Sequence, residues 1–338
     1  MVGAEPIATP AGRDAHQATS LARPRRGCHH AGAMPHALVY SPRYRCDIGA
    51  HVFPTEKFEL TLAKLESEGM LAGATVLEPT PATHDELRLV HTAEYLADLE
   101  QLRWTPRTIV SELPLTAEIV GAYILAAGGT TLAAREAMAR GCGITVGGGF
   151  HHAYADKAEG FCYINDLAVA VRVLQRDGAI RRAAIVDLDV HQGNGTAHIF
   201  AGDSEVFTLS IHQEMNYPVP KERSDLDVGL ENGVGDDGYL RVLEPALERV
   251  WAHAPDIVLY QAGADPYRDD QLGGLALSLD GLAERDARVL EGCAERGIPA
   301  VVTFGGGYAR RVEDTVEIHA QTCRTALRAA WVKRTASR

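Results

Sequence analysis

The chain has 338 residues, 46% of them hydrophobic and 23% charged, with a formal net charge of −12. That length buries a large core as one big α/β domain or two smaller ones, and the composition is that of an ordinary globule. The acidic balance argues against a general nucleic-acid binder, which carries a basic face, and six widely spaced cysteines without a CxxC pair argue against a disulfide framework or a cysteine zinc cluster.

Residues 1–35 are rich in Ala, Arg, Pro and Gly without a sustained apolar period. They read as a disordered leader, or as a mis-assigned start with Met34 the true beginning, and they lack the apolar core of a secretory signal. Cys28, His29 and His30 have metal-binding side chains, but in so biased a tail they carry no ligand reading. Residues 36–335 read as the single catalytic domain. Reduced thiols place the protein in the cytoplasm.

A short strand is expected over 37–40 (ALVY), then a helix over 57–68 with Phe58, Leu62 and Leu65 at helical spacing and Gly69 as its stop. A helix over 83–102 opens on Thr83 with Glu86 three residues on, the pattern of a capping box; His84 and His91 within it read as surface or core histidines. The long helix expected over 116–140 ends at Gly141. Its apolar run at 119–134 is interrupted by Gly128, Gly129, Thr130 and Thr131, so a buried helix is expected rather than a membrane span.

From there strands and helices alternate. Strands are expected over 143–146, 183–187, 205–211, 256–261 and 300–304, and helices over 163–175, 239–253, 282–296 and 312–332. A turn-rich insertion carrying Asp225, Asp227, Gly229 and Gly233 follows the strand at 205–211. Nearly continuous apolar strands between helices predict a three-layer α/β/α domain on a mainly parallel sheet. Such sheets bind ligands beyond the carboxyl ends of their strands. Five strand ends carry polar or glycine-rich sequence: His151-His152, Asp189 with His191, His212, Asp265, and Tyr308. One crevice explains all five.

Within 183–195, AAIVDLDVHQGNG, an extended strand would put Asp187, Asp189 and His191 on one face. Carboxylates and an imidazole so crowded are costly to bury unless a cation sits among them. Asp189, His191 and Asp265 give three protein ligands and leave open positions, as a catalytic metal site requires; zinc is the first expectation and ferrous iron the second. His151 and His152 offer a general base towards metal-bound water and an electrostatic partner, with Asp187 and Asn194 placed to orient them. Tyr308, after Gly305, Gly306 and Gly307, is a candidate donor to a developing oxyanion. Together these residues point to metal-assisted hydrolysis of an amide.

The segments GGGFHHAYADKAEGFCYIND, IVDLDVHQGNGTAHIF, YQAGADPYRDDQLGGLALS and TFGGGYARR resemble the histone deacetylase superfamily, with its arginase–deacetylase fold. The likeness extends to VYSPRY and VHTAEYL, and the wording of DLDVHQGNG and DDQLGGLALS resembles the class IV branch; the Ala/Arg-rich usage suggests a bacterial source. The resemblance implies zinc on Asp189, His191 and Asp265. It implies His152 as general base and acid, His151 assisting and paired to Asp187, and Tyr308 polarising the acyl carbonyl. Gly160, Phe161, Gly306 and Gly307 would contact substrate, and a structural K⁺ or Na⁺ would use Asp187 and Ser210. Class I members carry an aspartate where this chain has Asn194, so the partner of His152 is neutral here, as in class II and IV relatives. Glu112 is the nearest acidic residue to a substrate-gripping rim position, and Tyr217 lies in the region of a second aromatic wall.

The expected activity is therefore zinc-dependent hydrolysis of an Nε-acyl-lysine amide on a protein or peptide, with long fatty acyl groups implied by the class IV likeness. Hydrolysis of acetylpolyamines or other small acylated amines is the alternative. A non-catalytic binding module is disfavoured because the motif set is complete. A dimanganese arginase-like site is disfavoured because Asp269 and Asp270 are not spaced as ligands after Asp265.

Overall fold

In the computed structural model, residues 36–331 are described; the expected leader, with Cys28, His29 and His30, lies outside the described residues. Eight strands form one sheet: β1 (Ala37–Val39), β2 (Thr75–Leu77), β3 (Cys142–Thr145), β4 (Ala183–Asp187), β5 (Val206–Gln213), β6 (Leu226–Leu230), β7 (Ile257–Gln261) and β8 (Ala300–Thr303). Every pairing is parallel, in the order β2-β1-β3-β8-β7-β4-β5-β6. The central strands β3, β4, β7 and β8 are buried along their whole length, which is why they read as continuous apolar runs.

The helices are α1 (Lys57–Ser67), α2 (His84–Leu87), α3 (Ala93–Glu100), α4 (Ala117–Arg140), α5 (Asp166–Arg176), α6 (Asn194–Ile199), α7 (Asp236–His253), α8 (Leu279–Glu295) and α9 (Val312–Arg328). Side chains alternate across the sheet with a period of two. On β4, Ala183 and Ile185 pack in one core with Leu167, Val171 and Leu174 of α5. Ala184 and Val186 pack in the other, with Leu243 and Val250 of α7 and Leu282 and Val289 of α8. That is the three-layer α/β/α arrangement expected.

Two strands escape the sequence pattern because they form the sheet's edges. β2 has three residues, and β6 (LDVGL) exposes Asp227 and Gly229 in alternation with half-buried neighbours. The helix expected over 83–102 is two helices. Its capping box forms, with Thr83 N–H donating to Glu86 Oε2 at 2.8 Å and Glu86 N–H to Thr83 Oγ1 at 3.2 Å. The helix then stops, because Thr92 N–H donates to the Ala155 carbonyl (2.8 Å), the Thr92 hydroxyl caps α3, and buried His91 accepts the Asn165 N–H at Nε2 (3.2 Å). Tertiary hydrogen bonds replace helical continuation there.

α4 is long and apolar enough to cross a membrane by length and composition, and 67% of its most apolar window is buried in the domain. Its glycines are sites of close approach. A Cβ on Gly128 would stand 1.9 Å from the Thr80 carbonyl oxygen, and one on Gly129 would stand 2.1 Å from the Tyr44 hydroxyl.

Candidate active site

β4 ends at Asp187, and the chain turns out of the sheet before the next two residues of interest. Asp187, Asp189 and His191 therefore come together through a turn, not along one face of an extended strand. Asp187 Oδ1 accepts the Asp189 N–H (3.2 Å), and Asp189 Oδ1 accepts the His191 N–H (3.0 Å). Beyond β7, Asp265 Oδ1 accepts the Val190 N–H at 2.9 Å. The potential ligand atoms of Asp189, His191 and Asp265 lie within 4.8 Å of one another, and all three residues are buried.

The donor set fits a divalent cation. Asp265 Oδ2 is buried without a hydrogen-bond partner, although it lies 3.2 Å from His191 Nδ1. Burial alone would depress His191, yet its hydrogen bond to Asp189 (3.1 Å) and the charges of Asp189 and Asp265 draw it up to about 10, so the two carboxylates favour positive charge between them. Asp189 Oδ2 accepts the Gly306 N–H at 2.8 Å, and a Cβ on Gly306 would stand 1.9 Å from Asp265 Oδ2. Gly306 is thus the floor of the cluster. Its carbonyl accepts the Ala264 N–H (2.9 Å), and the cavity described below is lined by neither it nor Gly307.

Both histidines are held at Nδ1. His151 Nδ1 lies 2.6 Å from Asp187 Oδ2, and His152 Nδ1 lies 2.6 Å from Asn194 Oδ1, with 4.1 Å between the two ring centroids. Burial would lower His151, but the Asp187 and Asp189 carboxylates outweigh it and raise it to about 9. Burial, His151 and His191 hold His152 well below the usual histidine range. Adjacent in sequence, the two rings are pushed in opposite directions: carboxylates raise His151, whereas burial and the neighbouring imidazoles lower His152 against its hydrogen bond to Asn194.

The cluster opens onto a cavity of about 180 Å³ lined by Glu112, His152, Gly160, Phe161, His191, Asn216, Tyr217, Leu272 and Tyr308. Tyr217, which the sequence could place only by region, lines this cavity together with Phe161. Gly160 and Phe161 are the central residues of a tight turn closed by Glu159 and Cys162, both at positive φ (50° and 63°). The Phe161 N–H donates to the Ser111 carbonyl (2.9 Å), and its own carbonyl accepts the Tyr123 hydroxyl (2.5 Å). A Cβ on Gly160 would lie 2.7 Å from the His152 ring. Tyr308 packs against Phe161 and His191, and burial followed by the Asp265 and Asp189 charges keeps its phenol well above the ordinary tyrosine range.

Four of the five strand ends meet here; His212 does not. Its Nδ1 lies 2.9 Å from Ser210 Oγ, away from the cavity lining. Ser210 stands in register with Asp187 on the neighbouring strand.

Several supporting residues carried no sequence signal. Lys57 on α1 is fully buried, donating to the Gly305 carbonyl at 2.7 Å beside Phe53 and Tyr308, and burial pushes its amine down to about 8 despite Asp265, Asp189 and Asp270. Asp270 accepts the Tyr308 N–H (2.7 Å) together with the N–H groups of Leu272 and Gly273. Glu159 Oε1 accepts from Asn194 Nδ2 at 2.7 Å and from the Tyr217 hydroxyl at 3.0 Å.

A profile of the histone deacetylase domain matches residues 51–323. An uncharacterized protein of Picosynechococcus sp. is 42% identical over 296 residues, covering 87% of this chain and 99% of that protein. Histone deacetylase 2 of Arabidopsis thaliana is 33% identical over 300 residues, with 83% and 78% covered. A probable deacetylase of Archaeoglobus fulgidus is 31% identical over 272 residues, with 75% of each covered. Among solved structures, the HDA15 HD domain superposes with a TM-score of 0.74 at 25% identity, over 90% of this chain and 91% of that one. With the domain profile, the relatives and the parallel-sheet architecture in agreement, the chain belongs to the histone deacetylase superfamily and has its arginase–deacetylase α/β fold.

Proposed function

We propose that the chain is a zinc-dependent hydrolase of Nε-acyl-lysine amides. The observation that carries this reading is one cavity lined by His152, Tyr308 and His191, the last a member of the buried Asp189–His191–Asp265 cluster. Zinc held by that cluster would polarise the amide carbonyl and lower the pKa of water.

The chain's own residues supply the rest. His152, kept neutral and with Nδ1 committed to Asn194, has Nε2 left to take a proton from water and deliver it to the leaving amine. His151, drawn positive by Asp187, supplies fixed charge beside the developing oxyanion. Tyr308, kept protonated, donates to that oxygen, and Asp270 holds its backbone in place. Phe161 and Tyr217 flank the lysine stem and exclude water from it.

For the acyl group we propose short chains over the long ones implied by the class IV likeness. The apolar pocket of Tyr44, Ile48, Phe53, Phe58, Tyr123 and Phe150, which meets the site where Phe53 packs on Tyr308 (6.2 Å between centroids), has about 10 Å³, room for about one water. The acidic Glu112 at the cavity favours a cationic carrier, which a basic peptide and a polyamine both satisfy, so acetylpolyamine hydrolysis is the second reading. Cys46, Cys142, Cys162, Cys293 and Cys323 are free and buried, which supports a reducing, cytoplasmic setting.

Metal analysis combined with turnover on lysine peptides bearing acetyl through myristoyl groups, and on acetylpolyamines, tests the proposal. Zinc-dependent turnover greatest on acetyl-lysine is expected. Strong turnover on acetylpolyamine with none on peptides would overturn the lysine assignment, and a myristoyl optimum would overturn the acyl assignment.

A further inference from the structure

We propose that Glu159 is a positioning residue that decides which nitrogen of His152 carries the proton. The inference rests on reading His152 as the base. An asparagine makes an ambiguous partner for an imidazole, since one end of its amide accepts and the other donates. Flipped one way it takes a proton from Nδ1 and leaves the Nε2 lone pair free for chemistry. Flipped the other way it donates to Nδ1, puts the proton on Nε2, and leaves no base facing the cavity.

The surroundings of Asn194 remove the ambiguity. A carboxylate only accepts, and Glu159 Oε1 lies 2.7 Å from Asn194 Nδ2, so the NH₂ end must face Glu159 and Oδ1 must face His152 Nδ1 at 2.6 Å. The Tyr154 hydroxyl, 3.1 Å from the same Nδ2, accepts there while its own proton goes to Glu222 Oε1 (3.1 Å); a hydroxyl can turn to donate instead, so the carboxylate of Glu159 is the partner that can only accept. Glu159 is itself fixed: its N–H and carbonyl pair with Cys162 (3.1 and 2.8 Å) across the turn that presents Phe161, and its other oxygen pairs with Lys157. Aspartate in place of Asn194 would need no such steering, because both its oxygens accept, and Glu159 would then face a second carboxylate.

That last point gives a test with a change of sign. Glu159→Ala should lower kcat on an acetyl-lysine peptide by about tenfold, whereas in an Asn194→Asp background the same change should leave kcat equal or raised. The ring ¹⁵N shifts of His152, in histidine-labelled protein and assigned by loss of the signals in His152→Ala, read the tautomer without reference to turnover. Wild type should show the proton on Nδ1 and Glu159→Ala a mixture. Glu159→Gln keeps one acceptor oxygen and Tyr217→Phe removes only the wall's bond to Glu159, so both should retain the wild-type tautomer. An unchanged tautomer in Glu159→Ala, or an equal loss of kcat in both backgrounds, would overturn the proposal. A wild-type protein without hydrolase activity would sink the functional reading instead, while the tautomer measurement would still judge Glu159.

Discussion

The Tyr217 ring stands edge-on to the His152 imidazole, with 5.0 Å between centroids and 79° between planes. Across the cavity Phe161 meets Tyr308 in the same way, at 6.1 Å and 73°. Each wall thus touches one of the two residues proposed to do chemistry.

Truncating either wall should weaken substrate binding. Tyr217→Ala and Phe161→Ala are each expected to raise KM for an acetyl-lysine peptide about tenfold, or about 1.4 kcal/mol. Tyr217→Ala should also reduce kcat, because it unpacks His152. Steady-state kinetics decide this, and unchanged KM values in both variants would move the substrate out of this cavity.

Tyr308→Phe removes a hydroxyl while leaving its ring packed on Phe161 and His191 and its N–H on Asp270. Turnover should fall by about 10²–10³, the usual effect of losing an oxyanion donor, with zinc content unaltered. Near-normal activity would refute the role.

Added zinc should stabilise the fold, since the metal binds only the assembled cluster. At a free concentration near 100 Kd the gain is about 2.7 kcal/mol, readable as a rise in Tm. Asp265→Asn should abolish that rise and leave the metal-free protein at least as stable, because the variant removes one of two facing buried carboxylates. A full zinc-dependent shift in Asp265→Asn would place the metal elsewhere.

Acid should destabilise the protein partly through His91, which burial pushes from 6.5 down to about 4 at 1% exposure. Below pH 6.5 the unfolded chain takes up a proton that the folded ring refuses. The contribution is therefore complete above 6.5, falls as pH drops towards 4, and amounts to about 3 kcal/mol at its limit. Denaturant unfolding of wild type and His91→Gln between pH 7 and pH 4 should show a shallower loss for the variant. Parallel curves would show that His91 titrates alike in both states.

The parallel sheet and the buried Asp189–His191–Asp265 cluster were legible because Asp189, His191, Asp265, His151, His152 and Tyr308 each follow a buried strand, where apolar runs break abruptly into polar ones. Asp187 and Asn194 were legible from their place next to the ligands. Glu159, Asp270 and Lys57 were not. Glu159 reaches Asn194 across 35 residues of chain, and Lys57 sits in α1 where a lysine normally faces water, so neither interaction leaves a periodic trace. The break between α2 and α3 was hidden for the same reason: its cause, the buried bonds of Thr92 and His91, lies in the partners Ala155 and Asn165. The edge strands were lost because half-exposed backbone accepts the Asp and Gly residues that sequence assigns to turns.

Phe161 occupies left-handed backbone, at a cost of about 1–2 kcal/mol for a non-glycine residue. What keeps it there is main-chain hydrogen bonding on both sides, to Ser111 and Tyr123, and not the identity of its ring. The aperture is consequently separable from its frame. A single replacement at 161 can redraw the entrance for a bulkier or more polar guest while the loop stays in place, whereas its neighbour Gly160, pressed against His152, has no such latitude.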